Sequence, residues 1–380
     1  MAYIFILIVL AIFAFSDYLI FTNEENGYNK YSVGILGRKI NFGIKNIIAW
    51  LLIVGLILFA GLRYYSGFDY GNYSIMFYKA LVAYRSQHVE YGYYFLNRIL
   101  GMVTENPQWI FFIMAAVTLF IKGTAISKLS KKIWFSIFIY YSMFFLVYDM
   151  GQIRSSLAQA LGLFAMYLFT KNRKKTAFIC ILIAACFHTS SIILMLLFFI
   201  KDKRYSAKQI IITYIVFIIL GQLMDLHFVG MFAKEHIHGN LGIKIYRYTA
   251  SSLFAQKIGL SANVIFDFII LVMFLLIRWY NNVNDKKFDY FFNIYFTGIC
   301  IYLLFNRYFV LGTRFSDYFK ISIVILLPML IGYIKNKNRR MLFLLFFMAM
   351  LGIMVFRQVH VNSNMYTPYA INWFGHIITR

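Results

Sequence analysis

Long apolar runs dominate this chain, separated by short polar stretches rich in lysine and arginine. The runs predict helices over 2–21, 44–61, 108–127, 133–148, 155–170, 207–225, 262–279, 288–305, 315–334 and 341–356. Each approaches the ~20 residues that a helix needs to cross a hydrocarbon core about 30 Å thick. The fold class that follows is all-α: a polytopic integral membrane protein with about 10 full transmembrane helices and one short helical hairpin over 176–200. These form a single transmembrane domain over 1–380, without internal repeats or a soluble domain. No basic residue precedes the first run and no small-residue cleavage site follows it, so it is expected to persist as a helix. Residues 72–84 and 93–103 carry amphipathic helices suited to lying against the membrane.

Composition supports this reading, and charge orients it. Hydrophobic residues make up 62% of the chain and charged residues 13%, against ~25% charged in a soluble domain. Cys180, Cys186 and Cys300 all lie in apolar runs, which excludes a disulfide scaffold and a cysteine zinc site. A net charge of +23 would suggest nucleic acid in a soluble protein; in a polytopic one it marks cytoplasmic loops and implies no nucleic-acid partner. The basic clusters assigned to that side begin with Lys30, Arg38, Lys39 and Lys45, then Lys122, Lys128, Lys131 and Lys132. Lys171, Arg173, Lys174 and Lys175 follow, then Lys201, Lys203, Arg204 and Lys208. The last are Arg278, Lys286 and Lys287, and Lys335, Lys337, Arg339 and Arg340. Asp17 is assigned to the outer side.

Two consecutive basic clusters flank 176–200, and 25 residues are too few for two full crossings. The segment must leave and return as a hairpin with its tip at 186–191, and a broken backbone at membrane depth needs protein or water around it. This topology puts both the N-terminus and the C-terminus outside. Outer segments 62–107, 226–261 and 357–380 form the extracytoplasmic face, with short outer turns at 149–154 and 306–314.

Several outer groups could carry chemistry. Arg63, Asp69 and Tyr70 place a cation and a carboxylate around a glycine-flanked turn, to hold one ligand or to serve as a snorkelling Arg and a turn Asp. Glu90, among Tyr91, Tyr93 and Tyr94, suits a general base beside a sugar, or belongs to an interfacial tyrosine belt. Gln152, Arg154 and Ser155 open a helix; an Arg there opposes the helix dipole unless an anion is bound, the plain alternative being an Asp149–Arg154 pair. His188 at the hairpin tip is an ionisable group at membrane depth, either functional or satisfied by Thr189, Ser190 or a carbonyl. Arg307 and Arg314 flank a short turn, and the Arg fork suits phosphate; Arg314 can also pair with Asp317 on one helix face. His227, His236 and His238 lack a cooperating carboxylate pattern beyond Glu235, so no metal and no cofactor are assigned. Arg63, Arg154, Arg307 and Arg314 thus converge on the outer boundary with Asp69, Glu90 and His188, which suits a pyrophosphate held without metal.

In order, these motifs resemble the EpsG family. The matching segments are Gly61–Tyr70, Glu90–Asn97, Gln152–Ala158 and Phe187–Ser190, spanning roughly the first half of the chain. The second half resembles the family in span number and outer Arg positions. Tyr91 departs from the pattern, where the family often has Pro, and so does Thr189 after His188. The resemblance implies a Wzy-type polymerase of bacterial O-antigen (lipopolysaccharide), capsule or exopolysaccharide biosynthesis. Such a protein is a metal-independent glycosyltransferase, multi-pass in the cytoplasmic (inner) membrane, with its active site on the outer side. It transfers a growing undecaprenyl-pyrophosphate-linked glycan en bloc onto a new lipid-linked oligosaccharide repeat unit. The implied catalytic residues are Asp69, Glu90 and His188. Arg63, Gln152, Arg154, Arg307, Arg314 and Tyr70 would bind pyrophosphate and glycan. Implied partners are the lipid-linked glycans, membrane lipids, a chain-length regulator and a flippase. A lipid-linked glycan flippase is the non-enzymatic alternative, opposed by the lack of two related halves. An O-antigen ligase or another lipid-linked glycosyltransferase differs only in motif order.

Overall fold

A computed structural model describes residues 1–19, 30–35, 38–85, 89–238, 240–251, 256–257, 259, 261–281, 283–373 and 376–379. Helices occupy every predicted span. Among the described residues, five are long and apolar enough to cross a membrane: Ala2–Leu19, Ile44–Gly61, Gln108–Leu129, Ala262–Asn281 and Lys337–Val361. Two bent pairs, Ala207–Leu223 with His227–His236 (52°) and Phe309–Lys320 with Ile323–Gly332 (54°), raise this to seven if each pair is one span. The remaining predicted spans differ for a physical reason. Ile153–Thr170 and Lys286–Leu304 bury polar residues, among them Ser155, Ser156, Gln159, Asp289 and Asn293. Ile133–Tyr148 is shorter, has one π-helical turn at Tyr141–Phe145, and is almost wholly buried.

These polar-bearing helices form the centre, together with Ile323–Gly332. The peripheral helices turn large apolar side chains outward, including Phe5, Ile12, Leu51, Val54, Ile353 and Phe356. A rim of exposed apolar residues around a polar-containing interior is stable in lipid and a liability in water. The chain is an all-helical membrane protein with almost no strand.

The segment 176–200 folds as a helical pair. Helix Lys174–Phe187 breaks at His188 (φ −152°, ψ 103°), and a 3-10 helix runs Thr189–Phe198. At ~1.5 and ~2.0 Å rise per residue, each arm is about 20 Å long, short of a ~30 Å core. Lys171 and Lys174 before the hairpin and Lys201 after it line one cleft, so the chain returns to the end it left. The amphipathic helices are Tyr70–Leu81 and Tyr91–Gly101, within a few residues of expectation. Further helices, His227–His236 and Asn240–Thr249, lie in the second predicted outer segment. The tail strand Ala370–Trp373 pairs antiparallel with Arg63–Tyr64 and joins segment 357–380 to segment 62–107.

Three expectations are corrected. Lys122 is not a loop cation: it is buried, with Nζ 2.7 Å from both Tyr140 Oη and Ser156 Oγ and 3.4 Å from Asp149 Oδ2. Its counter-charge is distant in sequence, so an inward Lys resembles a loop Lys when read alone. Asp17 lies at the basic end, 2.8 Å from Lys45 Nζ and accepting from the Trp134 N–H at 2.9 Å. Finally, Arg314 is not in a turn, because the helix Phe309–Lys320 already begins before it.

Candidate functional site

Glu90 precedes the helix Tyr91–Gly101, which packs closely on the hairpin. A Cβ on Gly92 would sit 2.8 Å from the Cys186 carbonyl oxygen, so only glycine permits this approach without displacement. Docking there delivers Glu90 to the hairpin tip. Its Oε2 pairs with Arg154 Nη1. Its Oε1 lies 3.7 Å from His188 Nδ1 and accepts from the Thr189 N–H at 3.5 Å. The anion demanded by an Arg in the first turn of Ile153–Thr170 is therefore Glu90, not Asp149. Asp149 instead accepts from Tyr140 and from Ser156 Oγ (2.8 Å) beside buried Lys122.

The ion pair is largely enclosed: the Arg154 and Glu90 side chains are 15% and 13% exposed. The Arg154 guanidinium lies 5.7 Å from the ring centres of both Tyr73 and Tyr93, within cation–π range. Beyond the tip, Ser190 Oγ is 3.2 Å from Tyr318 Oη. Tyr318 stands one turn past Arg314, which donates to Tyr248 Oη at 2.6 Å. Asp317 does not pair with Arg314; it accepts from Tyr148 Oη at 2.6 Å. Arg154, Arg314 and Lys244 all lie within electrostatic reach of His188. A cavity of about 260 Å³ opens on Glu90, with Arg85, Tyr91, Cys186, Thr189 and Lys244 in its wall. Arg85 stacks 4.1 Å over the Tyr91 ring.

The structure thus brings together Glu90, Arg154 and His188, with Arg314 behind them. Asp69 stands at the edge: it accepts from Asn72 Nδ2 at 3.3 Å and acts electrostatically on Tyr73. The other predicted residues have different surroundings. Arg63 is fully buried; its Nε donates to the Ser66 carbonyl (3.0 Å) and its Nη1 to that of Ala60 (2.5 Å), clamping the turn. Tyr70 stacks on Phe111 at 4.2 Å and donates to Gln108. Gln152 is the N-cap of Ile153–Thr170, with no side-chain capping bond. Arg307 pairs with Asp225 at 3.6 Å on the surface. Sequence reasoning missed Arg85, Lys244 and Tyr248, gave Tyr318 no role, and named Ser190 only as a partner for His188. Tyr318 was within reach, because it lies four residues after Arg314 on the same helix face.

A lipid-facing helical shell around buried polar groups defines the class: a helical membrane protein, with its enclosed ionisable cluster as the candidate site. The chain belongs to the EpsG family, whose model matches residues 46–371. This family is related to Wzy-like polysaccharide polymerases, so the protein's role is of the polysaccharide-biosynthesis polymerase type. No curated protein and no solved structure matches the chain.

Proposed function

We propose that the cluster around Glu90 is the transfer site of a polymerase for undecaprenyl-pyrophosphate-linked glycans, open to the outer face of the cytoplasmic membrane. The observation that carries this reading is a carboxylate paired with Arg154, accepting from the Thr189 N–H and 3.7 Å from His188 Nδ1, at the wall of a cavity that also holds Arg85 and Lys244. In the reaction, the acceptor hydroxyl oxygen bonds to the anomeric carbon of the growing chain. The bond from that carbon to the pyrophosphate oxygen breaks, and the polyprenyl pyrophosphate leaves with the bonding electrons. Glu90 takes the hydroxyl proton. Arg154 and Arg314, with Lys244 and Arg85 at the cavity wall, stabilise the charge developing on the leaving group. Arg154 and the Thr189 N–H hold the carboxylate in line, and His188 beside it is the alternative proton acceptor. Asp69 is a third, more distant acceptor.

The test is complementation of a deletion strain. Glu90→Gln keeps the shape but removes the base, so it should leave glycans carrying a single repeat unit. A normal ladder of chain lengths from this variant would remove Glu90 from the chemistry. Normal ladders from Glu90→Gln, His188→Ala and Asp69→Ala alike would overturn the site.

A further inference from the structure

We propose that a second cleft, at the basic end of the molecule, binds the headgroup of an acidic phospholipid. The cleft holds about 550 Å³ and is lined by Lys128, Lys171, Lys174, Lys201, Lys286 and Lys287. Four separate parts of the chain supply these residues: the end of Gln108–Leu129, the turn entering the hairpin, the exit from it, and the start of Lys286–Leu304. Among the described residues, Asp202 is the one acid in the lining. Orienting a membrane protein requires loop cations on one side, but it does not require them to converge on one concavity.

Helix ends explain only some of these cations. Lys128 and Lys171 stand at helix C-termini, where the dipole favours positive charge. Lys287 Nζ donates to the Leu129 carbonyl at 2.6 Å. Lys174 and Lys286 open their helices, where the dipole opposes a cation, and Lys201 lies outside any helix. Among the described residues, no carboxylate or carbonyl engages the ammonium groups of Lys128, Lys171, Lys174, Lys201 or Lys286. Like charges lining one cleft repel, and a multivalent anion among them relieves that repulsion. Phosphate is such an anion, and the rest of the wall favours phosphate carried on a lipid. Leu197, Phe198 and Ile200 share the lining, and exposed Phe178 and Phe199 continue the apolar surface along the hairpin. Acyl chains can follow that surface while the headgroup occupies the cleft. The 18-residue helix Ile153–Thr170, about 27 Å long at ~1.5 Å per residue, separates Arg154 at one end from Lys171 at the other. The cleft is therefore distinct from the cavity at Glu90.

The full chain in detergent is titrated with cardiolipin, phosphatidylglycerol, phosphatidylcholine and inorganic pyrophosphate. Binding is read by native mass spectrometry and melting temperature. The acidic lipids should bind and raise the melting temperature, with no effect of phosphatidylcholine and no displacement by pyrophosphate. The K171S/K174S/K201S/K286S variant should bind roughly a thousandfold more weakly. Its all-arginine counterpart should retain binding. K208S/K335S/K337S/R339S, which removes equal charge elsewhere, should bind like the parent. Equal weakening by both serine variants would overturn the cleft in favour of diffuse net charge. Equal binding of phosphatidylcholine would overturn the headgroup recognition. Displacement of lipid by comparable pyrophosphate would reassign the site to a soluble phosphate compound.

Discussion

Arg154 and Lys122, from two helices that meet at the first turn of Ile153–Thr170, are cations with opposite duties. Arg154 reaches outward to Glu90, and Lys122 is sealed beneath the same helix by Tyr140, Asp149 and Ser156. Arg154→Lys keeps the charge but loses the planar fork that can hold Glu90 and a phosphate at once. Polymer formation should fall roughly a hundredfold, the usual scale for losing one preorganised donor, as read from the ladder of chain lengths. Lys122→Met should act on stability instead. It leaves Asp149 buried without its counter-charge, at a cost of about 3–5 kcal/mol, visible as a lower melting temperature in detergent. Lys122→Met with Asp149→Leu removes both charges and should recover most of that loss. Neither pairing could be read from the chain alone. Arg154 and Glu90 are 64 positions apart, and adjacency favoured Asp149 until the fold gave that carboxylate to Tyr140 and Lys122.

Among the elements, the helices were readable because apolar run length is a direct measure of membrane thickness. The hairpin was readable because 176–200 is too short for the charges on its flanks. The breaks were not. The bends of 52° and 54° fall inside or beside apolar runs, where hydropathy has no contrast to show them. The close contact of Tyr91–Gly101 with the hairpin was also hidden, since a glycine signals freedom without naming the neighbour that needs it. Gly92→Ala tests that contact. The added methyl meets backbone atoms of Cys186 at 2.8 and 3.1 Å, which cannot rotate away, so the helix must shift and carry Glu90 off His188. The expected outcome is protein inserted in the membrane at normal abundance with shortened or absent polymer. Gly71→Ala is the matched control: a Cβ there meets nothing within 4 Å, and polymer length should be unchanged.

For the whole molecule, the hairpin sets the sidedness of everything that follows it. Because both arms end beside the same lysines, Lys175→Cys and Lys203→Cys, each combined with Cys186→Ser, should behave alike: a membrane-impermeant maleimide should label both only after cells are permeabilised. Labelling of one but not the other in intact cells would mean that 176–200 crosses the membrane once and that all later loops are inverted. The hairpin tip carries a consequence of its own. Cys180 and Cys300 are buried, whereas Cys186 is exposed and forms part of the wall beside Glu90. The protein therefore brings its own chemical handle to the place where transfer is proposed. The same reagent should reach Cys186 in intact cells without any engineered residue, and a lipid-linked glycan resting in the cavity should protect it, so that one native thiol reports both which way the site faces and when it is filled.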